Sequence, residues 1–334
     1  MQHILSYFIL FIIFLSLKFI FKNLKSKFHQ KHQKFAGKES IPLLGGIVMF
    51  LFYSYHVSIN DYLIFLFSFL ILLVGIFSDN NSLQSPKLRL FLQALILLSF
   101  INFSDLIILD LRNDILNNLI SNYYVSTLFT AFCFLVLING SNFIDGLDGL
   151  NLGYFFLVIL TIIYLNHYEI FEVDKKMMMT IFYGISFLLI LNILNLLYLG
   201  DSGSYLIGLI FGVFLIEINN SNYSISPYFI ALLLWYPAFE NLFSIIRKRL
   251  FKKDPLKPDN FHLHQMIFNF LRNSNNNSVK KYSNIISSGF IIFYNLIIFF
   301  ISTDYVSHTK SLLFLLACNV ITYITLYFFL RRSI

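Results

Sequence analysis

The chain has 334 residues, 57% hydrophobic and only 12% charged, with 41 Phe, 20 Tyr and a mean hydropathy of +0.73. Soluble domains carry about a quarter charged residues, so the composition excludes an ordinary soluble enzyme and predicts a polytopic all-α membrane protein. The net charge of +7 does not signal nucleic-acid binding, because the basic residues flank apolar runs instead of forming a basic soluble domain.

The elements begin with "ILSYFILFIIFLSLKFIFKNLKSK" at Ile4, which is too long for a signal peptide and lacks a small-residue cleavage pattern. It predicts a retained first span. Apolar runs then predict spans at 3–21, 43–57, 61–77, 88–101, 124–139, 151–166, 177–197, 204–218, 225–246, 283–301 and 311–330, eleven in all. Cys133 and Cys318 fall inside these runs and read as small apolar residues, with no disulfide or zinc signal. Alternating the connections places those near 22–42, 78–87, 140–150, 198–203 and 247–282, together with the tail, on one side. Counting Arg89 with its loop, that side holds 19 of the 24 Lys and Arg residues. Positive residues mark the cytoplasmic side, so the N-terminus is expected outside and the C-terminus inside. No soluble domain separates from residues 1–334, which read as a single transmembrane domain. Asn-rich stretches such as "NDILNNLISN" and "RNSNNNSV" read as loop tips or frayed ends.

Four polar islands interrupt the apolar pattern: "GIFSDNNSLQ" at 75–84, "NGSNFIDGLDGLNLG" at 139–153, "GDSGS" at 200–204 and "KPDNFHLHQ" at 257–265. The alternation puts all four on the basic, cytoplasmic side. Ionisable groups this close to a bilayer are expensive and usually mark function. If a helix begins near Asp145, the spacing of three puts Asp145 and Asp148 on one face; helix capping is the simpler alternative for either residue alone. Asn139 and Asn142 would orient these carboxylates or bind substrate hydroxyls. Asp201 suits a hard cation, which needs only one or two carboxylates when substrate phosphates supply the rest, or else caps the span that follows with Ser202 and Ser204. Asp79 is the other carboxylate able to meet it. Asp259, His262 and His264 can converge on a turn, and two His separated by one residue are a weak zinc signal; phosphate or substrate contact is the stronger reading. Gly45-Gly46 reads equally as tight helix packing or an interfacial turn. Glu240, within the ninth span, is expected to pair with a basic group at the inner face.

Taken in order, these islands resemble the polyprenyl-phosphate N-acetylhexosamine-1-phosphate transferases, the bacterial glycosyltransferase family 4. This family contains enzymes that start O-antigen and teichoic-acid precursors and also the phospho-MurNAc-pentapeptide translocase. "GKESIPLLGG" resembles its early Pro…Gly-Gly motif, with Lys38 as a phosphate contact; "NFIDGLDGL" matches its Asn…Asp-Gly…Asp-Gly motif; "GDSGS" aligns Asp201 with its Mg²⁺ ligand; and "PDNFHLHQ" matches its His-x-His element. The resemblance implies transfer of an N-acetylhexosamine-1-phosphate from a UDP-sugar to undecaprenyl or another polyprenyl phosphate, with release of UMP. It implies catalytic roles for Asp79, Asp145 and Asp148, Mg²⁺ at Asp201 with Mn²⁺ as a substitute, and substrate contacts from Lys38, Asn139, Asn142, Asp259, His262 and His264. Expected partners are UDP-N-acetylhexosamine, the polyprenyl phosphate and membrane lipids, with no nucleic acid; a homodimer is a possible assembly. The expected location is the bacterial cytoplasmic membrane, with the site facing the cytoplasm. This chain departs from the family where two adjacent acids are usual: it reads Ser78-Asp79, while Asn260 and Gln265 replace a usual Arg and His. "HLHQ", in place of three successive histidines, favours a simple UDP-N-acetylhexosamine over the translocase substrate. A transporter or non-catalytic relative is the alternative of a different class.

Overall fold

The computed structural model describes residues 2–20, 41–56, 62–252, 254–255 and 259–333. Among these residues the fold is all-helical, and the sole β contact is a parallel bridge between Leu43 and Tyr198. Helices α1 (Gln2–Ile20) and α2 (Gly45–His56) lead into α3 (Tyr62–Asp79) and α4 (Pro86–Ser104). The Ser85 hydroxyl accepts from the Leu88 amide at the start of α4, and Pro86 takes the first position, where a missing N–H costs nothing. A short α5 (Asp114–Ile120) precedes α6 (Tyr123–Ile144), α7 (Leu150–His167), α8 (Lys175–Ile193) and α9 (Gly200–Ser221). The chain ends with α10 (Pro227–Leu233), α11 (Trp235–Leu250), α12 (Leu263–Arg272), α13 (Asn277–Lys281), α14 (Ser283–Ser302) and α15 (Thr309–Ser333). The Asn-rich connections have a defined role: Asn113, Asn122 and Asn276 cap α5, α6 and α13 through their side-chain oxygens.

Among the described residues, each expected span overlaps a helix or a bent pair of helices, but not all eleven are long enough to cross a membrane. Eight helices among the described residues are long and apolar enough to cross a membrane, and α10 with α11 makes up to nine; α2 and the apolar stretch Ile4–Ile20 are shorter. The protein is thus a multi-pass all-α membrane protein. The α10–α11 pair bends by 75°. Pro237 explains the break, since it has no N–H to offer the carbonyl four residues back, in Leu233, and its ring crowds that carbonyl.

Helix α9 runs through the centre and is almost wholly buried. Its first turn is approached by α2 and α3 at backbone distance. A Cβ added to Gly75 would lie 2.2 Å from the Ser202 Cα, and one added to Gly46 would lie 2.6 Å from the Gly203 nitrogen. In a bilayer, where apolar side chains gain little by leaving lipid, such small-residue contacts allow close helix packing. They settle the two readings of Gly45-Gly46 in favour of packing. The Pro42-to-Gly45 segment is also pinned to the residues before α9: the Gly45 amide donates to the Tyr198 carbonyl at 3.1 Å, and the Tyr198 amide donates to the Pro42 carbonyl at 3.0 Å.

Candidate active site

The polar islands meet at one end of the bundle, where α3, α6, α8 and α11 finish and α4, α7, α9 and α12 begin. Two clusters form there, joined by the loop at 145–149.

In the first cluster, α3 delivers Ser78 and Asp79 to the first turn of α9. Gly200 has φ +73°, a backbone conformation costly for a side-chain-bearing residue, and a Cβ there would crowd the Asp79 carboxylate at 2.9 Å. With that space open, Asp79 accepts from the amides of Asp201 (2.9 Å) and Ser202 (3.1 Å). These are amides that a helix start leaves without intrahelical partners, so α9 is capped from another helix. Asp201 itself is buried in the first turn. Its Oδ2 accepts from the Ser78 hydroxyl at 2.5 Å and from Arg89 Nη1 at 3.0 Å, and Arg89 also donates to Ser78 at 2.5 Å. Arg89 and Gln93 stand one turn apart on α4, and Gln93 accepts from Asn139 at 2.9 Å. That pairing places Asn139 in the wall of the site.

The 145–149 loop is not helical, so the expected helical face shared by Asp145 and Asp148 does not form. Asp145 instead ends α6, and α7 starts at Leu150. The two carboxylates still belong to one electrostatic neighbourhood. Burial pushes the Asp145 carboxyl well above the usual carboxylate range; the charges of Asp201, Asp79 and Asp148 act in the same direction, and a hydrogen bond with Ser204 opposes them. The loop is held from outside by Asn192, which accepts from the Gly149 amide at 2.7 Å, and by Asn284, which accepts from the Asp148 amide at 2.9 Å. Asn142 is half-buried one turn before Asp145, and its carbonyl accepts from the Asp145 amide. Asn151 donates to the Ser141 carbonyl at 2.7 Å and reaches the Ser204 hydroxyl at 3.4 Å, tying α7 to α9.

The second cluster joins α11 to the start of α12. His262 Nδ1 lies 2.9 Å from a buried Glu240 oxygen, which also accepts from the Leu263 amide, and its Nε2 is 3.7 Å from Asp259. Glu240 thus finds its basic partner in His262. Asp259 is gripped by both Arg247 Nη atoms, at 2.9 and 3.0 Å. Burial alone would raise the Asp259 carboxyl, but the hydrogen bonds and charge of Arg247 outweigh it and hold the group below the usual carboxylate range. His264 stacks on His262 with ring centroids 5.7 Å apart. It is fully buried, neither ring nitrogen has a hydrogen-bond partner among the described residues, and burial lowers its pKa to about 3. Gly146 is what lets it approach the acidic loop: a Cβ there would lie 2.8 Å from His264 Nε2.

The site therefore gathers Asp79, Asp145, Asp148, Asp201, Asn139 and Asn142 around the starts of α7 and α9, and brings His264 to the same loop. His262 and Asp259 stand one step behind it, and Lys38 lies outside the described residues. Sequence reasoning missed the partners that hold the site, namely Arg89 on Asp201, Gln93, Asn192 and Asn284. Arg89 and Gln93 carried a signal, being polar residues one turn apart in the mostly apolar first half of α4. Among the described residues no three His, Cys, Asp or Glu side chains form a metal-holding group. A cation bound mostly by substrate phosphates and water is compatible with that, since Asp201 Oδ1 accepts no hydrogen bond from the described residues while Oδ2 is occupied.

Two similarities to known proteins bear on this chain. Residues 62–219 match glycosyl transferase family 4, a range that contains the first three islands and excludes the His-x-His element. Over 228 residues, 68% of this chain and 68% of the relative, the sequence is 25% identical to the undecaprenyl-phosphate alpha-N-acetylglucosaminyl 1-phosphate transferase of Thermotoga maritima. The chain is thus similar to glycosyl transferase family 4 over the stretch that carries the first three islands, and more widely to one polyprenyl-phosphate hexosamine-1-phosphate transferase.

Proposed function

We propose that this protein transfers an N-acetylhexosamine-1-phosphate from a UDP-sugar to a polyprenyl phosphate such as undecaprenyl phosphate, releasing UMP. The observation that carries this reading is the convergence of four carboxylates, Asp79, Asp145, Asp148 and Asp201, at one end of a membrane bundle in a chain similar to this family. The reaction brings two phosphate anions together, and a site this acidic needs cationic help to admit them. Mg²⁺, or Mn²⁺ in its place, held through Asp201 would supply charge neutralisation of the diphosphate and of the departing UMP.

The chain's own residues do the remaining work. Asp79 fixes the first turn of α9 and so sets the position of Asp201. Ser78 and Arg89 orient its carboxylate by holding Oδ2, leaving Oδ1 directed elsewhere. Asp145, held toward its protonated form by burial, can donate a hydrogen bond to a phosphate or sugar oxygen. Asp148 and Asn142 shape the same loop. A phosphate monoester is largely ionised near neutral pH, so the acceptor needs no strong general base, and alignment of the two phosphates supplies most of the acceleration. His264, kept neutral by burial, offers one N–H donor and one acceptor to the donor substrate. His262, Glu240, Asp259 and Arg247 fix where His264 stands.

The acceptor lipid reaches this end of the bundle laterally, and the nucleotide sugar comes from water. The basic residues expected on this side support reading that water as the cytoplasm, with the N-terminus outside and the chain in a bacterial cytoplasmic membrane. The relative's N-acetylglucosaminyl name and the "HLHQ" sequence favour a simple UDP-N-acetylhexosamine donor, as used to begin an O-antigen or another envelope glycan. The test is to incubate purified protein with undecaprenyl phosphate, Mg²⁺ and each of several UDP-N-acetylhexosamines and the UDP-MurNAc-pentapeptide, and to weigh the lipid product by mass spectrometry. A lipid diphosphate carrying one N-acetylhexosamine is expected. A product formed only from the pentapeptide donor would select the translocase, and no product from folded protein would contradict the proposal.

A further inference from the structure

Behind the second cluster, where α11 and α15 end together, lies a cavity of about 180 Å³ lined by Arg247, Lys248, Phe251, Phe261 and Arg331. Three of its five lining side chains are cationic and none is acidic. Arg247 and Lys248 are 6% and 4% exposed, so two cations are buried at the end of an apolar bundle. The Arg247 Nη atoms are taken by Asp259, but its buried Nε has no hydrogen-bond partner among the described residues. Lys248 donates to the Pro255 carbonyl at 3.2 Å, and Asp254 contributes nearby negative charge. Arg331 has no carboxylate partner among the described residues and lies over the Phe251 ring at 4.1 Å.

A pocket of this composition selects a compact anion with several acceptor oxygens, and a phosphate group meets that description. Its surroundings decide the source. Leu250 and Phe251 at the end of α11 are 77% and 48% exposed, and Phe328 and Phe329, one turn before Arg331, are 48% and 60% exposed. In a multi-pass membrane protein these side chains face lipid, and Arg331 closes the last turn of a helix apolar enough to span. The mouth of the cavity thus sits where acyl chains give way to head groups. Basic pockets between membrane helices at that depth bind anionic lipid heads.

We propose that the α11–α15 cavity binds the phosphate of an anionic membrane lipid, held by Arg331, Lys248 and the Arg247 Nε, at a site separate from the carboxylate cluster. The contact is carried toward the active site through Arg247, whose other face holds Asp259 beside His262. The proposal does not depend on which reaction the protein catalyses.

The test uses the full-length protein in detergent, titrated with phosphatidylglycerol and, separately, phosphatidylcholine, with bound lipid read by native mass spectrometry. Arg331→Gln should weaken phosphatidylglycerol binding about fivefold or more, the effect of one well-placed cation at a membrane surface. Arg332→Gln removes the same charge from the neighbouring exposed residue and should leave binding within about twofold, as expected for an arginine outside the cavity. Arg331→Lys should retain most of it, which separates loss of charge from loss of folding. Phosphatidylcholine should bind weakly, and millimolar inorganic phosphate should not displace the anionic lipid. Equal binding by all variants, or an equal loss in Arg331→Gln and Arg332→Gln, would overturn a defined site. Displacement by inorganic phosphate alone would overturn a lipid as its occupant.

Discussion

The carboxylate cluster and the histidine cluster meet across a five-residue loop, yet they are stabilised in opposite ways. Around α9 the anions are satisfied internally: backbone amides take up Asp79, and Arg89 with Ser78 takes up one oxygen of Asp201. At α12 the outer members are satisfied, His262 by Glu240 and Asp259 by Arg247, whereas the innermost member, His264, has two ring nitrogens without a partner among the described residues. Leaving a buried polar group without a partner costs about 1–3 kcal/mol, and the surrounding ion pairs keep His264 in place against that cost. One cluster is thus built to hold charge still, and the other to keep a neutral donor and acceptor available.

Breaking the packing under the first cluster should have the largest effect. Gly75→Ala puts a Cβ against the α9 backbone, with expected destabilisation of about 1–3 kcal/mol or more and loss of transfer, because the displaced turn carries Asp201. Thermal unfolding in detergent, followed by UMP release from the fraction still folded, checks both parts. Gly146→Ala acts on the joint between the clusters. It should displace the His264 ring and lower turnover by as much as about 10²-fold, the scale expected for misplacement near 1 Å, while thermal stability changes little; unchanged turnover would show that the two clusters work independently.

Glu240→Gln sharpens the comparison from the other side. It removes the charge facing His262 and should cost about 1–3 kcal/mol, read as a lower denaturation midpoint. Two members of the histidine cluster also predict distinct acid responses. His264 is neutral when folded and titrates near 6.5 when unfolded, so the unfolded chain binds the extra proton between those values. Stability should therefore fall as pH drops below about 6.5, and His264→Asn should flatten that slope. Asp259 has a depressed pKa, so its contribution is present above the ordinary carboxylate range and lost only in stronger acid. The smallest effect is expected from Ser78→Asp, which adds a second anion beside Asp201 and Arg89 and should lower the Mg²⁺ concentration needed for half-maximal rate severalfold.

Much of this arrangement was legible in the sequence. The apolar runs located the helices because backbone groups in a bilayer must be satisfied within them, and the four islands were visible as ionisable groups where burial is expensive. What stayed hidden were contacts between distant positions. Nothing near Asp79 in the chain reveals that its carboxylate caps a helix starting more than a hundred residues later, since capping is normally local. Asp145 and Asp148 could be read on one helical face because Asp-Gly repeats fit a helix start, but the left-handed Gly149, at φ +75°, begins α7 only after both. Arg89 was legible as a positive-inside charge. Its pairing with Ser78 and Asp201 was not, because those partners lie on α3 and α9.

The most direct test measures lipid-dependent UMP release by wild-type protein and by Asp201→Asn, at matched folded concentration and saturating Mg²⁺. A fall on the order of 10²-fold or more, the usual cost of removing a group that organises developing charge, is expected while UDP-sugar hydrolysis without lipid stays at background in both. Comparable lipid-dependent rates in the two proteins would contradict a transferase centred on the first turn of α9.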